Sequence, residues 1–97
     1  MNISEAFAKY EESEFLKFER IEKDKMLHER KDIGAFMLLH KLAPGTGDIV
    51  VSAEHDEIWL DVDIEKLESS ATEEDILYLI RCGVMYDTET DSLSMFV

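Results

Sequence analysis

DIVVSAEHDEIWLDVDIEKL, residues 48–67, is the stretch in which the hydrophobic period changes to two. Ile58, Leu60, Val62 and Ile64 alternate with Trp59, Asp61 and Asp63, the pattern of a strand with one face buried. Residues 48–53 are rich in Ile and Val and predict a strand before it, with the polar residues 54–57 as the hairpin loop between them. Asp63 stands where it would cap a short helical turn running through Lys66 and Leu67.

Toward the C-terminus, Thr72 with Asp75 three residues on is a capping-box start, with Asp in place of the usual Glu. Ile76, Leu77, Leu79 and Ile80 form the buried stripe of that helix, and Gly83 stands at its C′ position. Residues 84–87 and 93–97 flank a Thr/Asp/Glu turn and read as a second hairpin. Toward the N-terminus, Ser4 caps a first helix with Glu5 in its first turn. Phe7, Tyr10, Phe15, Phe18, Ile21 and Met26 recur roughly every third or fourth residue, and Glu5 with Lys9 and Glu19 with Lys23 are favourable i,i+4 pairs. They predict an amphipathic helix over 5–30, with a break near 11–13 as the variant. Asp32 reads as the N-cap of a second helix carrying Ile33, Phe36, Met37, Leu39 and His40, which Pro44 and Gly45 stop. Leu38 and Leu39 also suit a strand.

The fold class is therefore α+β: N-terminal amphipathic helices followed by an antiparallel sheet of two hairpins with an intervening helix. With 97 residues the chain makes a single domain, 1–97, with a helical region over 1–43 and an acidic α+β region over 48–97. Ile58, Leu60, Val62, Ile76, Ile80 and Leu93 are expected in one core. The large apolar residues between 5 and 42 exceed what one small sheet covers, so a homodimer through that region is expected.

Charge divides unevenly between the halves. Residues 1–47 hold nine acids and eight bases, net −1, whereas residues 48–97 hold fourteen acids against Lys66 and Arg81, net −12. Direct binding to nucleic acid or to an anionic membrane needs a basic face, so this balance argues against both. No uncharged run approaches membrane-spanning length. The single cysteine, Cys82, excludes an intrachain disulfide and fits a reducing compartment, and Glu5, Glu11 and Glu12 are unlike a secretory leader; a cytoplasmic protein is expected.

Chemistry-bearing patterns are sparse, and no enzymatic activity, cofactor or metal is expected. His28, His40 and His55 lack metal-helix spacing; His40 reads as a core-edge residue and His55 as part of a solvated turn. Cys82 has no CxxC partner and sits at a helix C-terminus, where the dipole raises a thiol pKa. Asp61, Asp63 and Glu65, and again Asp87, Glu89 and Asp91, alternate as oxygen ligands of a hard cation would. The second trio lacks the glycine and the terminal Glu of an EF-hand loop, and metal binding is not the expected role of either trio. Pro44, Gly45, Thr46 and Gly47 follow a helix and lack a lysine, which makes them a helix stop, not a phosphate loop. Trp59 shares its strand face with Asp61 and Asp63, where it is either a binding anchor or covered by the N-terminal helices; Tyr78 is a weaker candidate of the same kind on the outer side of its helix.

In size, in charge and in the stretch TEEDILYLIRCGVMYDTETDSLSMFV, the chain resembles small acidic phage-encoded proteins that inhibit host nucleases, the anti-CRISPR proteins and DNA mimics among them. The resemblance implies an inhibitor that occupies the basic nucleic-acid-binding surface of a host protein in the host cytoplasm. The acids of the second half suggest the surface: Asp56, Glu57, Asp61, Asp63, Glu73, Glu74 and Asp75, with Trp59 as an anchor. Two other readings compete, a structural protein that homo-oligomerises through its N-terminal helices and a small enzyme or divalent-metal protein.

Overall fold

Asn2, not Ser4, opens the first helix: its side chain accepts the Glu5 N–H at 3.0 Å. A computed structural model describes residues 1–96, so Val97, at the end of the expected second hairpin, lies outside the described residues. Helix α1, Ile3–Glu14, buries Ile3, Ala6 and Phe7, one face at i, i+3 and i+4. It does not run on to residue 30. Leu16 takes φ +60° and its N–H donates to the Ile80 carbonyl at 3.1 Å, which ties the chain to another helix end. Residues 15–30 then pass through two 3-10 turns, Phe18–Arg20 and Lys23–Lys25. The reason lies in the spacing. Phe15, Phe18 and Ile21 are three apart, the period of a 3-10 helix, and Ile21 is buried with the two phenylalanines half-buried beside it.

Helix α2, Lys31–Leu42, is capped at Arg30 without a side-chain bond, and Asp32 lies inside its first turn, where its carboxylate accepts the Ile33 N–H. The expected N-cap is thus displaced by two residues, and Asp32 acts on the helix dipole instead. The buried face of α2 is Gly34, Ala35, Leu38 and Leu39, while Met37 and His40 are exposed. The sequence-predicted stripe is therefore rotated, because the small Gly34 and Ala35 allow another helix close.

Strands β1, Val50–Glu54, and β2, Glu57–Leu60, form the first hairpin around His55, which has φ +55°. β2 ends earlier than the alternation predicts: Val62 makes one bridge with Pro44 and Ile64 begins a helix. Asp63 explains the change, since its carboxylate accepts the Lys66 N–H at 3.1 Å and caps helix α3, Ile64–Ser70. Helix α4, Glu73–Arg81, begins with the full Thr72/Asp75 capping box and ends before Gly83, whose φ is +100°. Strands β3, Val84–Asp87, and β4, Ser92–Phe96, complete an antiparallel sheet in the order β1-β2-β4-β3.

In register, Ile58, Met95 and Val84 form one row and Leu60, Leu93 and Tyr86 the next. These rows face the helices: the rings of Phe7 and Tyr86 lie 6.2 Å apart, and Leu60, Leu93, Met95 and Val84 are buried with Ile76, Leu79 and Ile80 of α4. Of the six residues expected in the core, Leu60, Ile76, Ile80 and Leu93 are buried, and Ile58 and Val62 are half-buried against it. In the N-terminal region Phe7 and Ile21 are buried, Phe15, Phe18, Met26 and Phe36 are partly covered, and Leu16, Leu27 and Met37 are exposed. Among the described residues no helix is long and apolar enough to cross a membrane.

Ile80 has no accessible surface and sits where α4 meets the sheet. Ile80→Ala should therefore cost about 2–5 kcal/mol in urea denaturation, against less than about 0.5 kcal/mol for Met37→Ala on the exposed side of α2.

Candidate functional site

The acids singled out from the sequence fall into groups with different tasks. Asp61 is enclosed by the loop after α2: its carboxylate accepts the Thr46 N–H at 3.1 Å and the Gly47 N–H at 3.2 Å. Gly45 is required there, because a Cβ at that position would overlap the same carboxylate. The loop read as a simple helix stop is thus a small nest already filled by an anion of the chain itself. Asp63 and Asp75 cap α3 and α4. Glu73 accepts from the Tyr10 hydroxyl at 2.8 Å and from Lys9 Nζ at 3.2 Å, and those two contacts hold its carboxyl below the usual range. Glu74 lies 3.9 Å from Lys25 Nζ. Lysines of the first half therefore neutralise part of the acidic α4 start. Asp56 is exposed at the hairpin tip and Glu57 is half-buried beside it. No hydrogen bond or ion pair among the described residues joins this tip to the first turn of α4.

Trp59 stands between the two alternatives the sequence left open. It is half-buried and lies on the sheet face away from the helices, in register between Ser52 and Ser94. Met85 pairs with Ser94 from the other side, so the small serine is buried between two large neighbours. Phe96, 56% exposed, extends the same face. Asp87 closes it at the far end. The Glu89 N–H is the main cause of its lowered carboxyl pKa, with a smaller contribution from the Trp59 indole N–H. Met85 and Phe96 were not legible as site residues and Asp87 only as a candidate cation ligand, because only the pairing of β4 between β2 and β3 brings them beside Trp59.

Tyr78 is not on an outer face. It is buried, its hydroxyl accepts the Leu27 N–H at 2.9 Å, and burial raises its pKa. Cys82 is buried too, and burial pushes its thiol up to about 12, far from the thiolate a nucleophile needs. His40 is exposed and does not line the core. Asp87 and Asp91 serve the β3–β4 turn, Asp91 accepting from the Tyr86 hydroxyl. Among the described residues no three His, Cys, Asp or Glu side chains converge as a metal site.

A separate apolar cleft of about 560 Å³ runs between the 15–18 segment, the start of α2 and the end of the sheet. Phe15, Phe18, Phe36, Ile58 and Met95 line it, together with the charged residues Glu29, Arg30, Lys31 and Asp32. Comparison with protein families, with curated proteins and with solved structures finds no match to this chain.

The strongest charge contacts join Glu14 to two arginines, Arg81 Nε at 2.9 Å and Arg20 at 2.7 Å. The Arg81 hydrogen bond is the main reason its carboxyl titrates below the usual value. A carboxyl with a depressed pKa stabilises the fold above its unfolded-state pKa of about 4.3 and stops doing so as pH falls through the folded value. Glu14→Gln should therefore lower the melting temperature at neutral pH, and the gap to the parent protein should close as the pH is taken below the carboxylate range.

Proposed function

We propose that this protein is a non-enzymatic binding protein that docks on the basic, nucleic-acid-binding surface of another protein, as a cytoplasmic inhibitor of the anti-CRISPR or DNA-mimic kind would. The observation that carries the reading is the surface around the first hairpin. Trp59 and Met85 form the centre of an open sheet face, and Glu54, Asp56, Glu57 and Asp87 stand at its ends. Seven acids and neither Lys nor Arg lie between Asp48 and Glu65. An apolar or aromatic centre within a charged rim is the anatomy of a protein interface. The longest dimension of the molecule, 30 Å, matches a length of duplex carrying about 18 phosphates. Residues 48–97 carry a net charge of −12, within a factor of two of those phosphates. Such a field speeds encounter with a basic groove and makes binding salt-dependent. Exposed ion pairs contribute only about 0–1 kcal/mol each, so the acids act as a group.

The acids to reverse are those without a local structural task. Immobilised protein should capture nucleic-acid-binding proteins from a bacterial lysate at low salt, lose them well above physiological salt, and lose them to competing duplex DNA. The triple variant Glu54→Lys, Asp56→Lys, Glu57→Lys should abolish capture with its circular-dichroism melt retained, whereas Glu11→Lys with Glu12→Lys should leave it unchanged. Equal behaviour of the two variants, or indifference to DNA, would reject the reading.

A second reading, homo-oligomerisation through the N-terminal region, is favoured by the phenylalanine-lined cleft and by Leu16 and Phe96 exposed at its border. It expects a dimer mass in light scattering at micromolar concentration that is insensitive to salt and falls to the monomer in Leu16→Asp. A monomer in the parent protein rejects it.

A further inference from the structure

β1 is an edge of the sheet, and all five of its residues are exposed. An edge strand directs alternate N–H and C=O groups outward without partners. The opposite edge, β3, is buried to half-buried and has α1 against it, so β1 is the accessible one. Edge strands are commonly blunted by lysine, by proline or by a β-bulge. Residues 48–54 contain neither lysine nor proline. They present Ile49, Val50 and Val51 in succession, with Val51 60% exposed, and a bulge between Val50 and Ser52.

The charges on this edge select what can pair with it. Asp48 stands at one end and Glu54 at the other, with Asp56 just beyond, and no base is present between them. A second copy of the chain fits poorly. Antiparallel self-pairing about Val51 sets Asp48 of each copy opposite Glu54 of the other, and about Ser52, the middle of β1, opposite Asp56; like charges directly opposite are destabilising. Each copy also brings a net charge of −13. An extended segment with β-branched residues at its centre and Lys or Arg at both ends meets the edge with hydrogen bonds, apolar contact and opposite charge together. Six residue steps at about 3.3 Å separate Asp48 from Glu54, so the segment spans about 20 Å, or about seven residues.

We propose that β1 receives such a basic-ended segment of a partner protein by strand addition, extending the sheet to a fifth strand. Main-chain bonding supplies affinity in this mode and the flanking charges supply selection. The proposal rests on the reading of the protein as an acidic binding protein and names how that surface engages.

The test uses the full chain and two fluorescein-labelled peptides of equal charge. One is Lys-Lys-Val-Thr-Val-Thr-Val-Lys-Lys; in the other both threonines are replaced by proline, which removes donors and disfavours the strand. The first should bind saturably, the second at least tenfold more weakly. Hydrogen exchange should slow at β1 amides and not at β3 when the first peptide is bound. Equal affinity for the two peptides, protection at β3 instead of β1, or no binding of the first peptide would overturn strand addition. The lysate capture and its charge-reversal variants judge the acidic reading separately. Equal peptide affinities with capture intact would leave that reading standing while strand addition falls.

Discussion

The hydroxyl of Tyr78 holds three parts of the chain at one point. It sits on α4, accepts the Leu27 N–H from the irregular 15–30 segment, and presses on Gly34 of α2, where a Cβ would come within 2.8 Å of the oxygen. A buried hydroxyl without a partner is costly, and so is an orphaned N–H, so each group fixes the other. The 15–30 segment has only short turns of its own. Its position depends on such attachments to α4, of which the Leu16 N–H to Ile80 carbonyl bond is another. The Glu14–Arg81 pair then fastens the end of α1 to the end of the same helix. α4 is thus the element against which the rest is placed, and its stripe of Ile76, Leu79 and Ile80 is closed off from solvent.

Against that frame, the excess of acid in the second half has more than one meaning. The carboxylates of Asp61, Asp63 and Asp75 accept from backbone amides, a use that any well-capped fold makes of carboxylates. Glu73 and Glu74 meet lysines from the other half of the sequence, which the division by halves conceals. The hairpin acids serve neither purpose, and they border the open sheet face.

Much of the fold was legible. The Thr72/Asp75 box, the Asp63 cap, the Gly83 stop and the alternation up to Leu60 are local signals that act over a few residues, and each appears where its chemistry requires, although the strand ends before Val62 and Ile64. The Ser4 and Asp32 caps were each placed two residues late, and the larger errors arose where distant contacts prevail. The single helix over 5–30 failed because a three-residue spacing fits a 3-10 turn and because Leu16 bonds to a helix more than sixty residues away. Tyr78 looked like a surface residue because its partners, Leu27 and Gly34, are remote in sequence. The site was less legible still. Trp59 was visible as the one tryptophan among acids, but its neighbours Met85 and Phe96 depend on β4 inserting between β2 and β3.

The bare outer strand has a consequence for the behaviour of the material itself. Three β-branched apolar residues in a row, without lysine or proline, are the ingredients from which cross-β assemblies grow. A net charge of −13 on each molecule opposes the approach of a second one. That protection is borrowed from the pH: as the solution approaches the carboxylate range, about pH 4, the repulsion fades while the strand stays exposed. The protein is then expected to be soluble in neutral media and to precipitate or form fibrils in mildly acidic ones.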